Sequence, residues 1–334
     1  MKATHRLSSL VFLVILALGC GGGTPERQPG PASRSYLSIG TAPTGGAFFQ
    51  VGGAMAEVLT AHGASQGWQV TAESTKGSQE NIRRLERGEL DLALSNAAIT
   101  YFATRGEAGW DKAYPVQAVM TLAPNVALFL TPRASGVERL ADLRGRRVVV
   151  GPAGAGFEFF VGPLLEAHGL RMEDFSPLNQ TQSASVDMLA DGSAVAAFLG
   201  GALPTASITQ ACASMDIRFL PFDAAAVADL VERYPFFERH TIPAGTYRGQ
   251  DADFPALDVG TMHLIASASA DEELIYGLTR TLWERRDEIT ARFASAGEAI
   301  NPGNVARDLG TEFHPGAIRY YREIGIWPAT DGGE

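Results

Sequence analysis

The sequence predicts an α/β protein of two lobes joined by a hinge of crossing strands. Three observations carry that prediction. Short β-branched runs alternate with helical patterns from Tyr36 onward, and such alternation belongs to α/β domains with largely parallel sheets. The plan of the opening stretch, strand then side-chain-poor loop then helix, begins again at Arg146. Near the C-terminus a strand and a long amphipathic helix are expected to return to the first lobe, so that two strands cross between the lobes. With 334 residues, 46% hydrophobic and 19% charged, the chain can bury a sizeable core or two.

Residues 1–19 read as a lipoprotein signal peptide. Lys2 and Arg6 precede an apolar run, residues 10–18, that is too short to span a bilayer. The run ends in "ALGC", which places cleavage before Cys20 and a lipid anchor on that cysteine. Residues 20–35 are rich in Gly, Pro and Ser without an apolar pattern and form a flexible tether. With Cys20 acylated, Cys212 stands alone, so no intramolecular disulfide is expected. Cys212, in "ITQACASM", reads as a small buried hydrophobe. Losing Lys2 and Arg6 takes the formal charge from -10 to -12. A chain so acidic, with no basic stripe, is not expected to bind nucleic acid.

The first lobe is expected over residues 36–132. "YLSIG", "WQVTAES", "LDLALS", "VQAVMTL" and "VALFLTP" read as its strands. "SQENIRRLERG" reads as a helix with Ser78 as N-cap and Gly88 as C-cap. The second lobe, residues 133–257, opens with "RRVVVGPAGAGFEFFVGPLLEAHG" and continues helix, strand, helix, strand through "VDMLADG", "AVAAFLGG", "PTASITQACA" and "IRFLPF". Residues 258–328 return to the first lobe through the strand "VGTMHLIAS" and the helix "DEELIYGLTRTLWERRDEI"; residues 329–334 are a tail.

Two loops, "GTAPTGGAFF" and "GPAGAGF", are stripped of side chains where a strand ends and a helix begins. Glycine alone would only mark tight turns. Two such loops, each leading into a helix, point to ligand access to backbone N–H groups, because helix N-termini offer unpaired donors and a partial positive charge. In open α/β sheets ligands sit beyond the carboxyl ends of the strands. Thr41, Thr44, Gly45, Gly46, Phe48, Phe49, Gly154, Ala155, Gly156 and Phe157 are therefore expected to bind ligand, with Ser78, Asn96 and Gly201 completing the set. A helix terminus contributes ~0.3–1 kcal/mol, at most ~2, while micromolar binding needs about 8. Apolar contact, hydroxyl hydrogen bonds and lobe closure must supply the rest, which favours an acid with an apolar body.

Other motifs carry less. "GASQG", residues 63–67, matches a nucleophile elbow but lies between a helix and a following strand, the reverse of the order that motif needs. "GPAGAG" has no Lys-Ser/Thr end and no G-x-G-x-x-G spacing. The six His are scattered, with no ligand spacing for a metal, so neither metal nor cofactor is expected. His314, in "HPGAIRYYREIG", reads as a cap, and "WERRDE" as a solvated helix face.

Five blocks, in order, carry a resemblance to a known family. "IGTAPTGGAFFQVGGAMA", "STKGSQENIRRLERGELDLAL", "LADLRGRRVVVGPAGAG", "IPAGTYRG" and "HPGAIRYYREIG" resemble the TAXI-type solute receptors of tripartite ATP-independent periplasmic (TRAP) transporters, over nearly the whole mature chain. The resemblance implies a type II periplasmic-binding fold closing on a small organic acid or amino acid. It implies a receptor that hands its ligand to the membrane TRAP subunits without chemistry; with the lipoprotein signal, the expectation is a periplasmic, membrane-anchored monomer that touches the membrane only through its lipid. The rival readings are a lipoprotein that signals to a sensor protein and a secreted hydrolase. Phe48 and Phe49 stand where the family usually has Tyr, and Ala155 and Phe157 stand where its second loop usually ends in Ser and Thr. The lost hydroxyls point to an apolar acid rather than glutamate, since an unpaired buried acceptor costs ~1–3 kcal/mol.

Overall fold

The computed structural model describes residues 35–44 and 46–327. The signal peptide, Cys20, nearly all of the tether, Gly45 and the tail lie outside the described residues. Ser35, expected as the last tether residue, is instead the first of β1.

The first half alternates as its pattern dictates: β1 (Ser35–Gly40), α1 (Ala47–His62), β2 (Trp68–Glu73), α2 (Ser78–Glu86), β3 (Leu92–Asn96), α3 (Ala97–Arg105) and β4 (Val116–Thr121). The next strand, β5 (Val126–Pro132), leaves this sheet. It is followed by β6 (Arg147–Val149), α4 (Glu158–Ala167), β7 (Ser176–Leu178), α5 (Gln182–Ala190), β8 (Ala196–Gly201), α6 (Ala206–Ser214), β9 (Ile217–Phe219), α7 (Ala224–Arg233), β10 (Phe237–Ile242) and β11 (Phe254–Val259). The chain then returns through β12 (Met262–Ser267), α8 (Glu272–Glu284), α9 (Arg286–Arg292), α10 (Ala294–Ala299) and α11 (Pro315–Glu323).

Two sheets result. The first has the order β2-β1-β3-β12-β4, the second β10-β11-β5-β8-β6-β7 with β9 beside β5. In each, three parallel strands adjoin an antiparallel one that has come directly across from the other lobe: β12 beside β3, and β5 beside β8. The crossings, residues 122–125 and 260–261, form the expected hinge. The boundary expected after Pro132 falls earlier, because β5 pairs with β8, β9 and β11 rather than with the first sheet.

The crossings are stitched together. The Asn125 and Gly260 N–H groups both donate to Asp258 Oδ1, at 3.0 and 3.1 Å, and the Thr261 hydroxyl donates to Oδ2. Burial pushes the Asp258 carboxyl up to about 6 despite these donors. Arg307, from the return segment, donates to Thr261 Oγ1 at 2.8 Å and pairs with Glu238 on β10 of the other lobe.

Three apolar clusters hold the protein. One packs beneath α1, α8 and α11, and one behind the second sheet around α5 and α6. The third belongs to both lobes: Phe102 stacks on Phe159 of α4 with centroids 6.2 Å apart, and Tyr101 meets Phe236 edge-on at 5.1 Å. The lobes therefore share an aromatic seam as well as a hinge.

Other local expectations meet the structure in mixed fashion. His314 caps α11, its Nδ1 accepting from the Gly316 N–H. Cys212 is buried, which pushes its thiol up to about 11. The helix expected as one piece from Asp271 breaks at Arg285 into α8 and α9. Ser65 is exposed on a short turn between α1 and β2, bonded only to Gln66 among the described hydrogen bonds.

Candidate functional site

The carboxyl ends of the central strands of both sheets open onto one cavity of about 410 Å³. From the first lobe it is walled by the β1–α1 loop and first turn of α1 (Thr44, Gly46, Ala47, Phe48), by Lys76, Gly77 and Ser78 entering α2, and by Asn96 and Ile99 of α3. From the second come Ala155 and Phe157 before α4, Thr181, Gln182 and Ser183 at the start of α5, and Gly201 with Thr205, Ala206 and Ser207 at the start of α6. Asn125, on a crossing, closes the hinge side.

Of the residues expected at the site, Thr44, Gly46, Phe48, Ser78, Asn96, Ala155, Phe157 and Gly201 line this cavity. Thr41, Phe49, Gly154 and Gly156 do not. Thr41 is fully buried behind the loop, its hydroxyl donating to the Glu73 carbonyl at 2.6 Å. Gly154 faces open space. Gly156, at φ 93°, is a contact between lobes: a Cβ there would lie 2.7 Å from Ile99 Cδ1. The starts of α5 and α6, Lys76 and Asn125 escape a search for glycine-rich loops. The two helix starts are signalled by a Thr at the N-cap position, in "TQS" and "TAS", rather than by glycine, and Lys76 and Asn125 carry no such signal.

Helix ends differ in what they still offer. α3 is capped by Asn96, whose Oδ1 accepts from the Ala98 N–H, and α5 by Thr181. α4 carries an acid, Glu158, in its first turn. α1 and α6 have neither a side-chain cap nor a first-turn acid. α2 and α4 also lack a side-chain cap but carry Glu80 and Glu158, so one N-terminus from each lobe lines the cavity with neither cap nor acid, its leading N–H groups and partial positive charge unspent. Ser78, expected as the N-cap of α2, is its first helical residue; Gly77 is the cap, and Ser78 Oγ accepts from the Asn96 N–H at 3.0 Å.

A second set of contacts fixes these ends. Gln182 spans β8, α5 and α6: its amide donates to the Gly200 carbonyl at 2.9 Å, and its carbonyl accepts from the Gly200 N–H and the Ser207 hydroxyl. The Tyr247 hydroxyl accepts from the Thr205 N–H at 2.9 Å, and burial raises that phenol. Phe157, Phe160 and Phe198 form an apolar wall, with Phe157 5.0 Å from Phe160 and 6.5 Å from Phe198 by centroid. Lys76 is the one ionisable side chain among the described lining residues.

Elsewhere, His263 is fully buried, hydrogen-bonded through Nε2 to Thr100, and desolvation drives it down to about 3. It is neutral and is not among the residues lining the cavity. Among the described residues no group of three or more His, Cys, Asp or Glu could hold a metal, and no helix is long and apolar enough to cross a membrane.

Comparison with known proteins gives a family and a fold. The NMT1-like family is matched over residues 39–325. A Bordetella bronchiseptica protein of known structure is 14% identical, with TM-score 0.53, covering 89% of this chain and 91% of that one. The binding-protein component of an ABC phosphonate transporter from Pseudomonas aeruginosa is 10% identical, with TM-score 0.53 and 79% of each chain covered. PhnD1 from Prochlorococcus marinus, in complex with methylphosphonate, is 9% identical, with TM-score 0.52, covering 87% of this chain and 98% of that one. At these identities the likeness is one of fold: the two-lobed type II periplasmic-binding-protein architecture.

Proposed function

The chain belongs to the NMT1-like family, and on that premise we propose that it is an extracytoplasmic solute-binding receptor that closes on a small organic acid. The carrying observation is the pair of helix ends with neither cap nor first-turn acid, α1 from one lobe and α6 from the other, both lining a cavity of about 410 Å³. Such ends favour an oxyanion, and the hinge lets the lobes close on it. The aromatic wall of Phe157, Phe160 and Phe198 receives an apolar body. The transport context of the phosphonate-binding component of similar fold supports a role in uptake. The five sequence blocks favour delivery to a TRAP-type membrane transporter. Ser207 donates to an amide and Ser78 accepts from a backbone N–H, a setting for binding rather than for activating a nucleophile.

A thermal-shift screen of organic acids tests this reading. A cognate acid at about a hundred times its Kd adds ~2.7 kcal/mol, a rise of about 5 °C for a chain of this size. Generic ester turnover with no acid-induced shift would overturn it in favour of a hydrolase. Cys20→Ser is expected to move the protein from the membrane fraction to the soluble periplasmic fraction with its folded domain intact. Labelled fatty acid on that variant would remove the anchor.

A further inference from the structure

We propose that the cleft selects acids without an ammonium group, taking a 2-oxo or 2-hydroxy acid over the amino acid of the same skeleton. The proposal rests on the reading of the cleft as a receptor for a small acid, and narrows its ligand class.

The ground is a census of what the cavity can offer a ligand. No Asp or Glu occurs among its described lining residues, and Lys76 is its one charge. The side-chain carbonyls of Asn96 and Gln182 are already accepting: Asn96 from the Ala98 N–H, Gln182 from the Gly200 N–H and the Ser207 hydroxyl. The Asn96 amide nitrogen is spent as well, on the Gly260 carbonyl at 2.7 Å. What remains free is mostly donors. These are the leading N–H groups of α1 and α6 and the proton of the buried Ser78 hydroxyl, whose oxygen is already accepting. The half-buried Asn125 and the exposed Gln50 side chains have no partner among the described hydrogen bonds, and their two uncharged carbonyls are the exceptions, while the exposed Thr44 and Ser183 hydroxyls can donate or accept.

An α-ammonium is bonded to the carbon that bears the carboxylate. If the carboxylate sits on the α1 and α6 ends, the ammonium is carried into the same positive field. There it meets Lys76 and no carboxylate, and a desolvated, unpaired cation is strongly disfavoured. A 2-oxo or 2-hydroxyl oxygen at that position meets the reverse condition, because it accepts from donors that are otherwise idle. A site built to hydrogen-bond one group rejects the analogue that cannot pair with it far more strongly than an apolar pocket rejects a misfit.

Calorimetry with matched pairs tests this: 4-methyl-2-oxopentanoate against leucine, phenylpyruvate against phenylalanine, and 2-oxoglutarate against glutamate, with methylphosphonate as an oxyanion lacking a carboxylate. At least one oxo acid is expected to bind, with its amino partner at least a hundredfold weaker. An amino acid binding as tightly as its oxo partner overturns the selection while leaving the receptor reading in place. Binding of methylphosphonate alone overturns the carboxylate class, and binding of none of the seven removes the acid receptor and this proposal with it. Thr181→Asp keeps a good N-cap on α5 while adding a carboxylate to the wall. It is expected to narrow the oxo-to-amino ratio at least tenfold, and an unchanged ratio in the folded variant overturns the explanation.

Discussion

The loop after β1 and the loop after β6 occupy equivalent places, each following a strand flanked on both sides by parallel neighbours. The first leads into α1, whose N-terminus is open and lines the cavity through Gly46, Ala47 and Phe48. The second folds on itself. Gly151 has φ 102°, and the Phe157 ring occupies the space a Cβ would need there, 2.3 Å away. Phe157 turns toward Phe160, and α4 begins with an exposed Glu158 that offsets its own dipole. The anion-facing role in the second lobe moves to α6, while the β6–α4 loop becomes a wall and a contact with the other lobe. Equivalent topology fixes where helix ends point; capping decides which of them can still bind.

Breaking the wall should have the largest effect. Gly156→Val forces a β-branched residue to φ 93° and sets its Cβ 2.7 Å from Ile99, so strain and overpacking together should cost about 3 kcal/mol or more in urea unfolding. Gly154→Val, at φ 72° but in open space, should cost only ~1–2 kcal/mol. Equal losses at the two positions would mean that the contact between lobes contributes nothing.

The joint between the halves should respond next. Asp258 keeps its proton to about pH 6 when folded, against 3.8 as a free side chain. Between those values the native state binds more protons than the unfolded one, so stability falls as pH rises through that window, by on the order of 2–3 kcal/mol. Asp258→Asn retains the Oδ1 acceptor for the Asn125 and Gly260 N–H groups and should flatten that segment of the stability profile. An unchanged profile would place the titration elsewhere.

The smallest effect is expected where the comparison denies a role. Glu158→Gln strips the acid from α4 yet should leave ligand affinity within about twofold, since Glu158 is exposed and is not among the residues lining the cavity. A tenfold gain would show α4 to be part of the anion site.

How much of this could be read beforehand follows from what sequence encodes locally. Alternating strands and helices, the second start at Arg146 and the return strand within "VGTMHLIAS", found as Met262–Ser267, each leave a periodic signature, and the two-lobed fold follows from them. β5 was misassigned because "VALFLTP" declares a strand but not its partners; its pairing with β8 is a long-range choice. Thr44, Gly46, Phe48, Ala155 and Phe157 were legible as residues beside stripped loops. Gly154 and Gly156 were not separable from them, because glycine serves ligand access, left-handed turns and close packing alike. The α5 and α6 ends were missed for the opposite reason. Their availability depends on whether a cap or an acid has already spent the N–H groups, and at Gln182 and Tyr247 that is decided by residues far apart in the chain.

The central claim is that α6, not the β6–α4 loop, supplies the second lobe's half of the anion site. Ala206, exposed at the first position of α6 and lining the cavity, allows the most direct test. An acid there is favourable to the helix itself, by ~0.3–1 kcal/mol, so binding and folding respond in opposite directions. Calorimetric titration of Ala206→Asp with an acid that binds the wild type should show affinity reduced at least tenfold, about 1.4 kcal/mol, in a protein no less stable than its parent. Unchanged affinity would contradict the account and return the anion to the other loop.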